Sequence, residues 1–501
     1  MKRFLSLILA LVFLISFAAC EPTAMTNPEA PTVAAGDSTP SPTQDLPYDG
    51  DGSHYEYRYT LPRFNDIERD IIKIADVFLD KWHGHNKFVN SNVIHEIQDN
   101  GSFFNTDEYN EYDDELRTEF IRRINDILTN IPNKQVYEIR YDLLSALALL
   151  NDVHSNLYFD MSYNTFPVWV VKLEHSGRTG YFVVQVDWDH PELVKAELKA
   201  INGHSLDEII ELARPIIPHE NDYGLETELF ITERFALSAN FLDYIEILDD
   251  GENTAIFTFK LENGETTDVE LTAHDDDTSS LYRKAVIDED IYYSHLSLLQ
   301  KYRQEKNQFY EYMEEYNTLY IRFNSCSLYD ETTGEFFDID EFTKGITSLV
   351  EEVGGIDKLI VDFRSNGGGN YTSDLRRELF IAIRDIEALG GKYLLIDQCS
   401  FSAAVLWPAA IKRHFSNKPE LGEIIIVGCP AAEPPACYSI FSEDTLLESL
   451  DCFYTFGQQY ISTWADYPYD ALMPDEGWYI EQTYYDFFIG YDTVLKTICE
   501  D

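Results

Sequence analysis

Val361-Asp362-Phe363-Arg364-Ser365-Asn366-Gly367-Gly368-Gly369 continues an apolar run that starts at Leu359 and ends in three consecutive glycines. The pattern predicts a buried strand that breaks into a tight corner. Glycines adopt positive φ freely and let backbone N–H groups approach a partner closely. Such a corner can cradle an anion, including the oxyanion that develops when an acyl group is attacked. On composition alone it is equally a plain glycine turn. A phosphate-binding loop does not fit, because no Gly-Lys-Ser/Thr follows.

Outward from this corner, strand and helix patterns alternate. Leu319–Phe323 reads as a strand and Phe342–Val353 as an amphipathic helix. A helix is expected over about 373–386, a strand at Tyr393–Ile396, a helix from Ser402 and a strand at Glu423–Val427. Strand, helix, strand in series is the mark of a largely parallel α/β layer.

Two further segments can carry chemistry. In Ile396-Asp397-Gln398-Cys399-Ser400-Phe401-Ser402-Ala403-Ala404, Ser402 falls at a strand-to-helix junction. There a hydroxyl sits at the positive end of a helix, beside outward-facing N–H groups. That geometry serves a nucleophile, but serine in this place is also a common N-cap. In Leu150-Asn151-Asp152-Val153-His154-Ser155, His154 can act as a general base or serve structure alone.

The region before the α/β layer has two textures. Ile67, Ile71, Ile74, Ala75, Phe78 and Trp82 make one helical stripe. Leu116, Phe120, Ile124, Ile127 and Leu128 make a second, and Leu143, Leu144, Leu147 and Leu150 a third. From about 165 the period shortens to that of strands: Trp169–Val171, Tyr181–Val186, Leu198–Ile201, Tyr244–Leu248, Ala255–Leu261 and Thr266–Leu271. Asp250-Gly251 and Asn263-Gly264 read as hairpin turns, and Ser205 as the cap of an inserted helix.

Of 501 residues, 37 are basic and 89 acidic, a net charge of −52. So acidic a chain is a poor partner for a nucleic-acid backbone, which needs cations to displace its counterions. Lys2-Arg3, the apolar run Phe4–Phe17 and Ala18-Ala19-Cys20 have the build of a signal peptide. Small residues directly before a cysteine resemble the bacterial lipoprotein signal, which implies lipidation at Cys20. The Pro-, Thr- and Ser-rich stretch that follows is predicted to be an extended tether. The expected location is therefore extracytoplasmic, anchored to a bacterial membrane. The six remaining cysteines permit disulfides, with Cys429–Cys437 a possible staple of one loop, or serve as buried free thiols.

The order of these segments resembles the tail-specific (carboxyl-terminal processing) serine protease family. Asp362, Arg364, Asn366, Gly368 and Gly369 match its Asp-x-Arg-x-Asn-x-Gly-Gly segment, and Ser-Phe-Ser-Ala-Ala its nucleophile segment. Asn151-Asp152-Val153-His154-Ser155 resembles its Asp-x-His-Ser/Thr segment. Met473-Pro474-Asp475, Thr483, Asp486, Gly490 and Asp492 resemble its closing segment, and Leu198–Gly203 the Ile-Asn-Gly strand of its PDZ-like domain. The resemblance implies an α/β fold with a ClpP/crotonase-like core. It divides the chain into a signal peptide (1–19), a tether (20–55), a helical domain (56–160), a β-rich PDZ-like domain (161–285) and a catalytic core (286–501).

It further implies hydrolysis of peptides or unfolded protein tails through an acyl-enzyme on Ser402. Backbone N–H groups at Gly368 and Ala403 would hold the oxyanion, supported by Asp152, Arg364, Asn366, Gly367 and Gly369. No Lys or Arg lies between Lys418 and Lys496, which excludes the Ser-Lys dyad of one branch. His154 matches the base of the tricorn-like branch, with activity falling on acidification around an ordinary imidazole pKa. The sequence does not fix the partner acid; Asp152, nearest in sequence, and Glu433, on the loop after the nucleophile helix, are the candidates. No cofactor or metal is expected: His83-Gly84-His85 lacks a third ligand, and Asp275-Asp276-Asp277 lacks the spacing of a calcium loop. The loop Gly428–Tyr438 carries Cys429, Ala431 and Ala432 where relatives carry Gly-Glu-Pro-Thr-Gly-Gly. That substitution admits an alternative, a catalytically degenerate lipoprotein that binds a peptide or hydrophobic ligand on the same scaffold.

Overall fold

The computed structural model describes residues 62–81, 92–97, 103–108, 114–160, 164–274, 281–282, 295–298, 307–330, 335–369, 374–441, 445–464 and 466–500. Cys20, the leader, the tether, Trp82, His83-Gly84-His85 and Asp275-Asp276-Asp277 lie outside the described residues. Among the described residues no helix is long and apolar enough to cross a membrane.

The α/β layer is built on a five-stranded sheet. Its order is Gln308–Met313, Thr318–Phe323, Ile356–Asp362, Ala388–Ile396 and Ile424–Gly428. The first pair is antiparallel and the remaining three pairings are parallel. Period-two alternation gives the sheet two apolar faces. Leu319, Ile321, Phe323, Leu359, Val361, Leu394 and Ile396 face one core, which the helices Ile339–Val353, Asp374–Asp385 and Ala403–Ser416 cover. Tyr320, Ile360, Tyr393, Leu395 and Val427 face the other, against Val494, Leu495 and Ile498 of the C-terminal helix Thr493–Glu500.

A second, antiparallel sheet runs Leu281–Tyr282, Arg178–Asp187, Glu197–Ile201, Thr254–Lys260 and Thr266–Thr272, with Val168–His175 and His204–Ser205 attached at its side. Ser205 closes a capping box with Glu208 at the start of the helix Leu206–Ala213, as its sequence predicts. The strand expected at Tyr244–Leu248 is not formed. Tyr244 ends a helix that begins at Ala239, and the Ile245 N–H donates to the Phe241 carbonyl at 3.0 Å. Glu246 has φ 62°, so the chain coils there. Ile245, Ile247 and Leu248 are buried without a strand partner, which gives an apolar run strand-like in composition only. Asp250-Gly251 is consequently not a hairpin turn between strands.

The helices Pro62–Lys81, Asp114–Asn130 and Val136–Ala148 share one continuous core with this second sheet. Tyr141 is ringed by Phe159, Phe235 and Phe241, with centroids 5.3–6.3 Å away. The same core takes in Leu447, Leu450, Cys452, Tyr454 and Phe456 from the far end of the chain. Here Cys452–Tyr454 pairs antiparallel with Leu157–Phe159. This pairing ties the segment just after His154 to the C-terminal part of the chain. All six described cysteines are free thiols, so the Cys429–Cys437 staple is not made.

Candidate active site

The glycine corner is held from below by buried charge. Asp362 accepts from Arg322 at 2.8 Å and from Arg364 at 2.6 Å, and Arg364 forks onto Asp492 with contacts of 3.0 and 2.7 Å. The Tyr320 hydroxyl donates to Asp362 at 2.7 Å. Although burial works against ionisation, the two guanidinium groups hold the Asp362 carboxyl well below the usual carboxylate range. Four charged groups buried at the end of a strand demand one geometry, and they fix where residues 364–369 leave the sheet.

Asn366 then works as a clasp. Its Nδ2 donates to the Phe323 carbonyl at 2.8 Å, its Oδ1 accepts the Gly368 N–H at 2.8 Å, and its own carbonyl accepts the Phe401 N–H at 3.0 Å. The last bond joins the glycine corner to the residue before Ser402. Gly368 has φ +97°, and a Cβ there would lie 2.6 Å from Ser402 Cβ, 2.8 Å from the Phe401 carbonyl and 3.1 Å from the Ala403 nitrogen. The corner and the helix start therefore meet at Ser402. Gly369, at φ +134°, abuts the backbone of Cys326 and Ser327, while Gly367 is exposed.

Ser402 has φ 57° and ψ −124° and makes no side-chain cap bond to the helix it precedes. The capping alternative is thereby removed. A serine in this glycine-like conformation costs about 1–3 kcal/mol, and such strain persists only where the surroundings enforce it. Ala403 opens the helix, so its N–H has no intrahelical acceptor and lies at the positive end. Gly368 differs from expectation in one respect: its N–H is already spent on Asn366.

His154 reaches this point from the other half of the chain. Its carbonyl accepts from the Thr455 hydroxyl at 2.7 Å, and its N–H donates to Asp152 at 2.9 Å. Asp152 also accepts from the Ser155 hydroxyl, which in turn accepts the Gly457 N–H at 2.9 Å. Asp152 thus shapes the loop that carries the imidazole. The ring stacks on Phe401 with centroids 4.5 Å apart, one residue from the serine. Neither ring nitrogen has a hydrogen-bond partner, so His154 and Ser402 are not hydrogen-bonded in this state.

Glu433 is the carboxyl beside the ring, with Oε2 3.9 Å from Nδ1. Both its oxygens are buried without a hydrogen bond. The Ser402 amide lies close enough to favour its ionised form without reaching hydrogen-bond geometry. Burial, then the nearby Glu220, push the Glu433 carboxyl well up, and burial alone pushes His154 down to about 3. Burial thus disfavours a charge on either group in the described state. An acid limb from an imidazole titrating at its ordinary value is therefore not expected, because no cation-stabilising partner offsets the burial of His154.

No family model matches the sequence, and no curated protein matches it. Among solved structures, the chain is similar to mature CPAF complexed with lactacystin at 12% identity, over 88% of this chain and 100% of that one, with a TM-score of 0.49. It is similar to the photosystem II D1 C-terminal processing protease at 9% identity, over 87% and 96%, with a TM-score of 0.34. A third is the tricorn protease, at 12% identity over 87% and 36%, with a TM-score of 0.35. The second and third of these structural neighbours are proteases by name.

Two residues at the site gave no signal in sequence. Glu220, on a loop before the helix Asp222–Phe230, brings a carboxylate oxygen within 4.8 Å of ligand atoms on Asp152 and His154. Cys437, considered above as half of a disulfide or a buried thiol but not as part of the site, is buried beside the Ser402 side chain. No local pattern marks either one, because each arrives through strand and helix packing.

Proposed function

We propose that this chain is a serine peptidase of the tail-specific type, cutting peptides or unfolded protein tails outside the cytoplasm. In this reading Cys20 carries the lipid anchor, and a ClpP/crotonase-like core faces a PDZ-like module. The observation that carries it is Ser402, whose hydroxyl makes no cap bond on a strained backbone and whose Cβ lies directly beside Gly368. A helix start that only needed a cap would not retain that strain.

The Ser402 hydroxyl attacks the scissile carbonyl, and the neutral imidazole of His154 takes its proton. In this reading the imidazole, stacked on Phe401, turns on substrate binding to bring a ring nitrogen to the hydroxyl. Such tightening on substrate binding is common in sites that are loose when empty. The oxyanion rests on the Ala403 N–H and on the Gly368 N–H, the latter shared with or released by Asn366. Glu433 supports the imidazolium once it ionises and closes the 3.9 Å gap. The imidazolium then returns the proton to the leaving amine, and water resolves the acyl-enzyme.

The test is a fluorophosphonate probe on the full chain, with the labelled residue mapped by mass spectrometry. Ser402 is expected to be labelled, and Ser402→Ala to abolish labelling. An intact fold with no label on Ser402 overturns the proposal. The second reading, a binding protein without turnover, is favoured by the unengaged His154 ring and the occupied Gly368 N–H. It predicts that Ser402→Ala leaves ligand binding intact with no turnover to lose.

A further inference from the structure

Beside Ser402, one atom each from His154, Glu433 and Cys437 lie within 4.8 Å of one another, and all three side chains are at least 97% buried. Imidazole, carboxylate and thiol are the three side-chain ligand types of zinc sites. Both ring nitrogens of His154 and both carboxylate oxygens of Glu433 are buried with no hydrogen-bond partner. Buried polar atoms left without partners are costly, and a cation held between them would remove that cost. We propose that His154, Glu433 and Cys437 form a site for a borderline-soft divalent cation of the zinc class, and that its occupation switches the peptidase off.

The geometry needs little change. Tetrahedral bonds of about 2.0 Å to nitrogen and oxygen place those two ligand atoms about 3.3 Å apart. Nδ1 and Oε2 now stand 3.9 Å apart, so they close by about 0.6 Å. The charge balance also favours a cation. Glu220 and Asp152 lie close by, and both act electrostatically on Glu433 and Cys437. No Lys or Arg occurs in sequence between Lys418 and Lys496, a stretch that includes Glu433 and Cys437. Binding displaces the Cys437 thiol proton and the Glu433 carboxyl proton to solvent, forming metal–sulfur and metal–oxygen bonds without any change of oxidation state. Thiolate and imidazole together select zinc over magnesium or calcium, which prefer all-oxygen shells.

The inhibitory consequence rests on the peptidase reading, since the ion takes the imidazole and carboxylate that Ser402 would use. The binding itself does not rest on it. The experiment titrates the full chain with cobalt(II) chloride, followed by absorption, and with zinc chloride against a chromophoric chelator. One equivalent of cobalt is expected to give a thiolate charge-transfer band. Cys437→Ser is expected to lose that band and to bind zinc at least tenfold more weakly, while Ser402→Ala keeps both. Circular dichroism checks the fold, and if Cys437→Ser does not fold, Glu433→Gln is expected to weaken zinc at least tenfold. No saturable binding, or a band unchanged in the folded variant, overturns the site.

Zinc at saturating concentration is expected to slow fluorophosphonate labelling of Ser402 at least tenfold, reversibly with a chelator. Binding without slowing overturns the switch. A Cys437-dependent cobalt band in a chain that never labels Ser402 keeps the metal site and sinks the peptidase reading, so the two failures are distinguishable.

Discussion

Gly368→Ala is the sharpest probe of how the site is assembled. The new Cβ would lie 2.6 Å from Ser402 Cβ, where ordinary contact begins near 3.4 Å, so one side must retreat by about 0.8 Å. The obstacles are backbone atoms and a Cβ, none of which can swing aside as a flexible side-chain end does. Misplacing a reacting group by about 1 Å costs on the order of 100-fold in rate. The φ of +97° adds strain of about 1–2 kcal/mol for alanine, a melting-temperature loss of a few degrees. Gly177→Ala is the control: its φ is +83°, but nothing lies within 4 Å of the added Cβ. It should share the stability loss and keep the rate. The assay is the second-order rate of fluorophosphonate labelling at Ser402, which needs no knowledge of the substrate, alongside thermal unfolding. Labelling of folded Gly368→Ala within threefold of wild type would refute the convergence of corner and helix start as the basis of activity.

Other expectations follow from the same contacts. Ser402→Gly should abolish labelling and yet stabilise the fold by about 1 kcal/mol, because glycine relieves φ 57°; denaturant unfolding measures it. The pH profile of labelling should show no midpoint near 6.5, since burial holds His154 down to about 3; an acid limb there would contradict the neutral imidazole. Glu433 has a folded pKa above its unfolded value, so between the two only the unfolded chain gives up its proton and stability falls as pH rises. Glu433→Gln should flatten that loss in melting temperature between pH 5 and 8 while slowing labelling at least tenfold. Asp362→Asn leaves Arg322 and Arg364 sharing a buried pocket with less counter-charge, and should cost about 3–5 kcal/mol at neutral pH. Because the folded pKa of Asp362 is depressed, its wild-type contribution is present above about 4 and lost as pH falls further, which acid-titrated unfolding can follow.

The α/β layer was legible because its signals are local. Leu359–Phe363 is apolar throughout, as a strand covered on both faces must be, and the glycines after it mark a corner no other residue makes. Ser402 was marked by the strand-to-helix junction it occupies, whereas Asn366 and Arg364 were singled out only by the segment's resemblance to the tail-specific protease motif. Tyr244–Leu248 was misread because an apolar run without periodicity looks the same in a strand and in a coiled segment buried by its neighbours. Whether Ser402 caps the helix or stands apart from it also lay beyond reach, since both readings need a serine at the same place.

By itself, then, the sequence determined the strand, the glycine corner and the helix start, because hydrophobic period and backbone freedom act over a few residues. It also determined that no lysine from the stretch between Lys418 and Lys496 could serve beside Ser402. Only the tertiary structure decided what surrounds the hydroxyl. His154 comes from the front half of the chain because Leu157–Phe159 pairs with Cys452–Tyr454, and Glu433, Glu220 and Cys437 come from three separate elements. Their protonation, and the orphaned atoms they turn toward one another, are set by removal from water. That property belongs to the packed core and is carried by no single stretch of chain.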